Sequence, residues 1–146
     1  MERTLIFKKK STFNKKFRKY NDAFEPVQTK YDWLTRDVNE ALKYVEDDNC
    51  GYAVTPKFFT GIFQMMNFIN RNYKKLEKDA RILTVHGTED KAMDMEHLNR
   101  ILSKLKKRKR RINVLSNENG RHESLNEINK YVIYDEILKW MNEVVK

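Results

Sequence analysis

A single cysteine among 146 residues excludes an intrachain disulfide framework and fits a reducing compartment. Four glycines and two prolines leave little turn punctuation, so a β-sandwich or barrel with its many tight turns is excluded in favour of long helices joined by a few strands. No apolar run approaches the roughly 18 residues of a membrane span. The basic N-terminus around Lys8 to Lys10 leads into no apolar signal core, and the expected address is the cytoplasm. Low-complexity linkers and internal repeats are also missing.

What is present is enough for one domain. The residues are 40% hydrophobic and 35% charged, and a chain of this length buries roughly 70% of its unfolded surface. Thirty Lys and Arg against 21 Asp and Glu give a net charge of +9 and a pI near 9.6, which permits an acidic partner without requiring one. The chain is also rich in Lys, Asn and Ile, a bias that AT-rich coding produces by itself. Charge alone therefore assigns no partner.

Along the chain, Phe7, Phe13, Phe17, Tyr20 and Phe24 punctuate a basic N-terminal stretch that reads as a short helix or extension docking by its aromatics. After Trp33, the apolar positions Leu34, Val38, Ala41, Leu42 and Val45 predict a helix near 35 to 46, with Thr35 or Asp32 as its cap. Cys50 to Val54 reads as a turn and an extended piece. Thr55-Pro56 then supplies an N-cap with Pro at the first helical position of a helix reaching toward Leu76. The stripe of Phe58, Phe59, Ile62, Phe63, Met66 and Ile69 on that helix predicts a core or cap face, and such a face also suits an acyl chain.

From Ala80 the texture changes. Residues 81 to 86 read as a buried strand and 111 to 116 as a second strand, separated by a helix from about Met95 to Lys107 and followed by a long amphipathic helix from Asn126 to about Val145. This βαβα order predicts an α/β fold with two parallel neighbouring strands. In an open parallel sheet, chemistry gathers beyond the carboxyl ends of the strands. The first strand runs into Gly87-Thr88-Glu89-Asp90 and the second into Gly120-Arg121-His122-Glu123, so Asp90 and His122 are expected on neighbouring loops. A carboxylate beside an imidazole fixes its tautomer and stabilises the imidazolium formed when it takes a proton.

Residues 82 to 90, Gly120-Arg121-His122-Glu123-Ser124-Leu125-Asn126-Glu127 and the closing Tyr134 to Met141 resemble the C-terminal part of bacterial α/β-hydrolases of the lysophospholipase and monoacylglycerol lipase group, which are serine aminopeptidase-like. Tyr31 to Asp37, Asp48-Asn49-Cys50-Gly51 and Thr55 to Phe59 resemble the cap region of the same group, in collinear order. The resemblance implies that residues 1 to 78 are cap helices and 79 to 146 the C-terminal βαβα part of the hydrolase core. It implies Asp90 as triad acid and His122 as general base, with His86 and Gly87 ending the strand and Arg121, Glu123 and Asn126 supporting loop and helix cap. The implied activity is hydrolysis of a lipid-like carboxylic ester, a monoacylglycerol or lysophospholipid, with no cofactor and no metal.

One departure is large. The group's G-x-S-x-G nucleophile elbow and its oxyanion-forming His-Gly segment are absent, and Ser11, Ser103, Ser116 and Ser124 lack flanking glycines. The expectation is a C-terminal portion, whether a truncation, a split-gene piece or a separate subunit, inactive alone. It would work with an N-terminal half or self-associate through the unpaired Ile82-Leu83-Thr84-Val85 edge. Cys50, the only thiol, reads as a small buried apolar residue rather than a substitute nucleophile. The rival class is a non-enzymatic module binding nucleic acid or anionic lipid through eight cations between Arg100 and Arg111. That segment also reads as the solvated end of an exterior helix, where cations favour the macrodipole, and it has no interleaved aromatics for base stacking. His86, Asp90, Asp94 and His97 lack metal-ligand spacing.

Overall fold

The computed structural model of the protein describes residues 19–51 and 54–145. Phe7, Phe13 and Phe17 of the expected aromatic extension, and Tyr52 and Ala53 of the expected extended piece, lie outside the described residues. The described chain contains α1 (Val38–Glu46), α2 (Pro56–Asn72), β1 (Arg81–Gly87), α3 (Met95–Lys107), β2 (Arg111–Asn117) and α4 (Lys130–Val145). Short 3-10 turns lie at Asp22–Phe24, Tyr73–Lys75 and Ser124–Asn126. No helix among the described residues is long and apolar enough to cross a membrane.

The two strands are parallel, with Arg81 opposite Arg111 and Gly87 opposite Asn117, so both end at the same level. Helix α3 crosses between them. Asp94 starts it by accepting the His97 N–H at 2.9 Å, and Leu102 and Leu105 bury its inner face. Its end is a Schellman turn: the Lys109 and Arg110 N–H groups bond back to the carbonyls of Lys106 and Leu105, and Lys109 takes the left-handed conformation that glycine usually supplies.

Several helix boundaries differ from the sequence expectation for identifiable reasons. Helix α1 is capped by Asp37, whose side chain accepts from the Asn39 and Glu40 N–H groups, and not by Thr35 or Asp32. The Asp32 carboxylate is already occupied by the N–H groups of Gln28 and Thr29, and the Thr35 hydroxyl donates to the Asn126 carbonyl at 2.7 Å. Thr55 caps α2 and Pro56 opens it as expected, but regular helix stops at Asn72. Helix α4 begins at Lys130 rather than Asn126, because residues 124–126 form a 3-10 turn and Glu127 is drawn inward.

The expected core role of the α2 stripe is not what the described residues show. Only Phe59 is buried, whereas Phe58, Phe63, Met66 and Ile69 remain exposed. The buried apolar centre instead comprises Trp33, Leu34, Ala41, Leu102, Leu105 and Ile133 with Phe59. Helical periodicity reports that one face is apolar, not which surface covers it.

The two strand ends are tied by backbone. Thr88 N–H donates to the Asn117 carbonyl at 3.0 Å and Glu89 N–H to the Gly120 carbonyl at 2.9 Å. Gly87 makes this possible: a Cβ there would lie 2.1 Å from the Gly120 oxygen and 2.2 Å from the Arg121 oxygen, both backbone atoms with little room to yield. Gly87→Ala is therefore expected to cost about 2 kcal/mol or more and to separate the loops that follow the strands. Urea unfolding reads the first effect and the dispersion of the loop amide resonances the second.

Candidate active site

Beyond β1, the chain turns and presents Asp90. Its Oδ1 accepts the N–H groups of Ala92 at 2.8 Å and Met93 at 3.2 Å, which locks the carboxyl in an Asx turn. Its Oδ2 lies 2.8 Å from Nδ1 of His122, on the loop beyond β2. The structure thus brings together the two residues singled out from the sequence, 32 positions apart. The Asp90 side chain is almost fully buried, whereas that of His122 keeps 41% of its surface exposed. With Asp90 accepting from Nδ1–H, Nε2 carries the free lone pair, and it has no hydrogen-bond partner among the described residues.

The His122 loop is gripped by the segment preceding α1. His122 N–H points to the Trp33 carbonyl at 3.4 Å, and Glu123 N–H donates to the Leu34 carbonyl at 2.8 Å. The Arg121 guanidinium donates to the Asp32 carbonyl at 2.5 Å and the Thr35 carbonyl at 3.2 Å, and its plane lies 4.0 Å from the Phe24 ring centre. Beneath the loop, Glu127 is completely buried. It accepts from Arg121 N–H at 2.7 Å and pairs with Arg36 Nε at 2.8 Å. On the other side, Asn117 is also buried and accepts from the Asn129 side chain at 2.8 Å.

The sequence alone does not mark Trp33, Arg36, Asn117 and Glu127 as supports of the site. Trp33, Arg36 and Glu127 stand inside segments that carry the resemblance, but Arg36 and Glu127 are 91 residues apart and nothing local links them. The other positions beside the base resolve as follows. Arg121 and Glu123 hold the loop. Asn126 caps no helix: its side chain donates to Glu123 Oε2 at 2.7 Å and its carbonyl receives Thr35.

His86, at the end of β1, is buried, with its Nε2 3.2 Å from the Ser116 hydroxyl, and takes no part in the Asp90 pair. Cys50 is half-buried rather than fully buried, and burial together with Asp47 pushes its thiol above the ordinary value of 9.0, opposite to an activated nucleophile. Among the described residues, no group of three His, Cys, Asp or Glu side chains is placed to hold a metal ion. Within the basic 100–111 segment, Arg100 pairs with Glu96, Arg108 lies over the Tyr73 ring, and the buried Arg110 directs its guanidinium to the Leu76 carbonyl. The segment is thus not a uniform free patch.

Two parallel strands with an acid and an imidazole joined beyond their carboxyl ends are the arrangement of the α/β-hydrolases. The comparison with known families is specific: residues 4–129 match the serine aminopeptidase (S33) family, and the chain belongs to it. No curated protein matches the chain.

Electrostatics make the pair pH-sensitive. Burial alone raises the Asp90 pKa, but the His122 hydrogen bond and the two backbone N–H groups outweigh it and hold the carboxyl below its usual 3.8. The Asp90 hydrogen bond outweighs burial at His122, holding the imidazole above its usual 6.5, with the charges of Asp90 and Glu123 adding in the same direction. A lowered acid stabilises the fold fully above 3.8 and loses that contribution as pH falls through its folded value. A raised imidazole stabilises fully below 6.5 and loses its contribution as pH rises through its folded value. The stability difference between wild type and His122→Ala is therefore expected to be greatest between these two values, at about 1 kcal/mol after allowance for the exposed ring, and to shrink on both sides. Urea unfolding from pH 3 to 9 measures it.

Proposed function

We propose that this chain supplies the acid and the base of a Ser-His-Asp carboxylic ester hydrolase acting on a lipid-like substrate, a monoacylglycerol or lysophospholipid. The observation that carries the reading is the 2.8 Å contact of His122 Nδ1 with the buried Asp90, which leaves Nε2 uncommitted. In this reading residues 1 to 78 form the cap and 79 to 146 the C-terminal part of the hydrolase core. The exposed Phe58, Phe63, Met66 and Ile69 of α2 suit an acyl chain.

The chemistry follows from the tautomer. Nε2 of His122 takes the proton of a serine hydroxyl as its oxygen attacks the ester carbonyl, and Asp90 stabilises the resulting imidazolium. The imidazolium then gives the proton to the departing alcohol. In the second half, Nε2 takes a proton from water attacking the acyl-enzyme and returns it to the serine oxygen. No Gly-x-Ser-x-Gly occurs in the 146 residues, so the nucleophile and its oxyanion donors come from outside them.

Purified alone, the chain is expected to hydrolyse neither a short-chain aryl ester nor a monoacylglycerol above a His122→Ala control. Mixed with the nucleophile-bearing N-terminal half of a related hydrolase, it is expected to restore turnover, and Asp90→Ala or His122→Ala to lower that turnover by about 10³-fold or more. Ester hydrolysis by the lone wild-type chain that depends on Cys50 or on one of its serines would overturn the reading.

A further inference from the structure

We infer that Trp33 is a positioning residue for His122, holding the imidazole against Asp90 and favouring its protonated form through the face of the indole. The inference rests on the proposed acid and base roles for its functional meaning, but not for its physical content. The ring centres of Trp33 and His122 are 5.1 Å apart and their planes tilt by 40°, within the range at which a cation gains from an indole face. Trp33 is itself buried, with the Tyr20 ring 5.4 Å away from centre to centre and the Trp33 backbone N–H donating to the Asn21 side-chain oxygen at 2.9 Å.

A neutral imidazole gains little from the negative face of an indole, whereas an imidazolium gains an electrostatic attraction. Trp33 therefore acts on the state that forms during proton transfer. It also packs beside the imidazole, at 5.1 Å from centre to centre, limiting rotation away from Asp90. The Trp33 carbonyl faces the His122 N–H, so the same residue contacts both backbone and side chain of the base.

Among the described residues, few charges compete with this effect. Asp90 and Glu123 act on His122 directly. Arg121, its neighbour in sequence, directs its guanidinium to the Asp32 and Thr35 carbonyls, and Lys91 pairs with Glu89. The indole contribution is thus separable by changing the ring's electrons while leaving its shape.

The test uses the full chain in a Trp140→Phe background, which leaves Trp33 as the sole tryptophan. The protein is grown with tryptophan carrying one and then several ring fluorines, and the His122 imidazole is titrated by NMR. Fluorination drains the indole face with little change of size. The proton affinity of His122 is expected to fall stepwise, by two- to five-fold in all, and Trp33→Leu to lower it at least as far. An affinity that stays constant or rises across the fluorinated series overturns the inference. Should Trp33→Leu fail to fold, the fluorinated series alone decides. A low-field Nδ1 proton that disappears in Asp90→Asn reports the pair itself. Its absence would count against the proposed hydrolase role, while its presence with an unresponsive titration would sink only the role of Trp33.

Discussion

The arrangement depends on one buried carboxylate. Glu127 has no exposed surface, and a charge so placed is tolerated only if its oxygens are met by donors. It meets Arg36 through the guanidinium and the backbone N–H, Arg121 through its backbone N–H at 2.7 Å, and Ile128 N–H at 3.3 Å. These donors come from two regions 91 residues apart, so one side chain fixes the segment before α1 against the loop that carries His122. Neither region has an α-helix or a strand to hold it. Without the Glu127 contacts, the carbonyls of Trp33 and Leu34 would lose the register in which they meet the N–H groups of His122 and Glu123.

From that junction the order spreads to the acid. Asn117, at the end of β2, accepts from the Asn129 side chain just beyond Glu127, and its carbonyl receives both Thr88 and Gly120 N–H groups. Thr88 is two residues from Asp90. The acid is therefore held by strand-end backbone, while the base is held by its own loop and the segment before α1. The two assemblies meet at one hydrogen bond, and the difference in exposure follows: a carboxylate packed on a strand end is buried, and an imidazole lying on a loop keeps one edge open.

What was legible in the sequence were features with local causes. Period and composition marked β1, α3 and β2 within a residue or so, Thr55-Pro56 marked the start of α2, and the position of Asp90 and His122 after the strands followed from the parallel pair. What was not legible had distant or competing causes. Asp32 and Thr35 are good capping residues by type, but the Asp32 carboxylate is engaged by the preceding Gln28 and Thr29 N–H groups and the Thr35 hydroxyl by the distant Asn126 carbonyl, which leaves Asp37 to cap α1. The amphipathic pattern of α2 carried no information about its covering surface. The burial of Glu127 depends on Arg36, which no local pattern places beside it. Nothing near Trp33 in the sequence points to His122, 89 residues further on, whose ring it meets.

The in-register pairing of β1 and β2 works as a ruler. Each strand position is matched to one 30 residues further on, while the acid and base are 32 apart, and the two extra residues are absorbed by the turn from Asn117 to Gly120. One residue of strand is about 3.3 Å, longer than the bond that joins Asp90 to His122. The length of the crossover through α3 enters neither strand-end loop and so is free of this constraint. The counts from Gly87 to Asp90 and from Asn117 to His122 have no such freedom: lengthening either would leave both side chains intact and out of reach of each other.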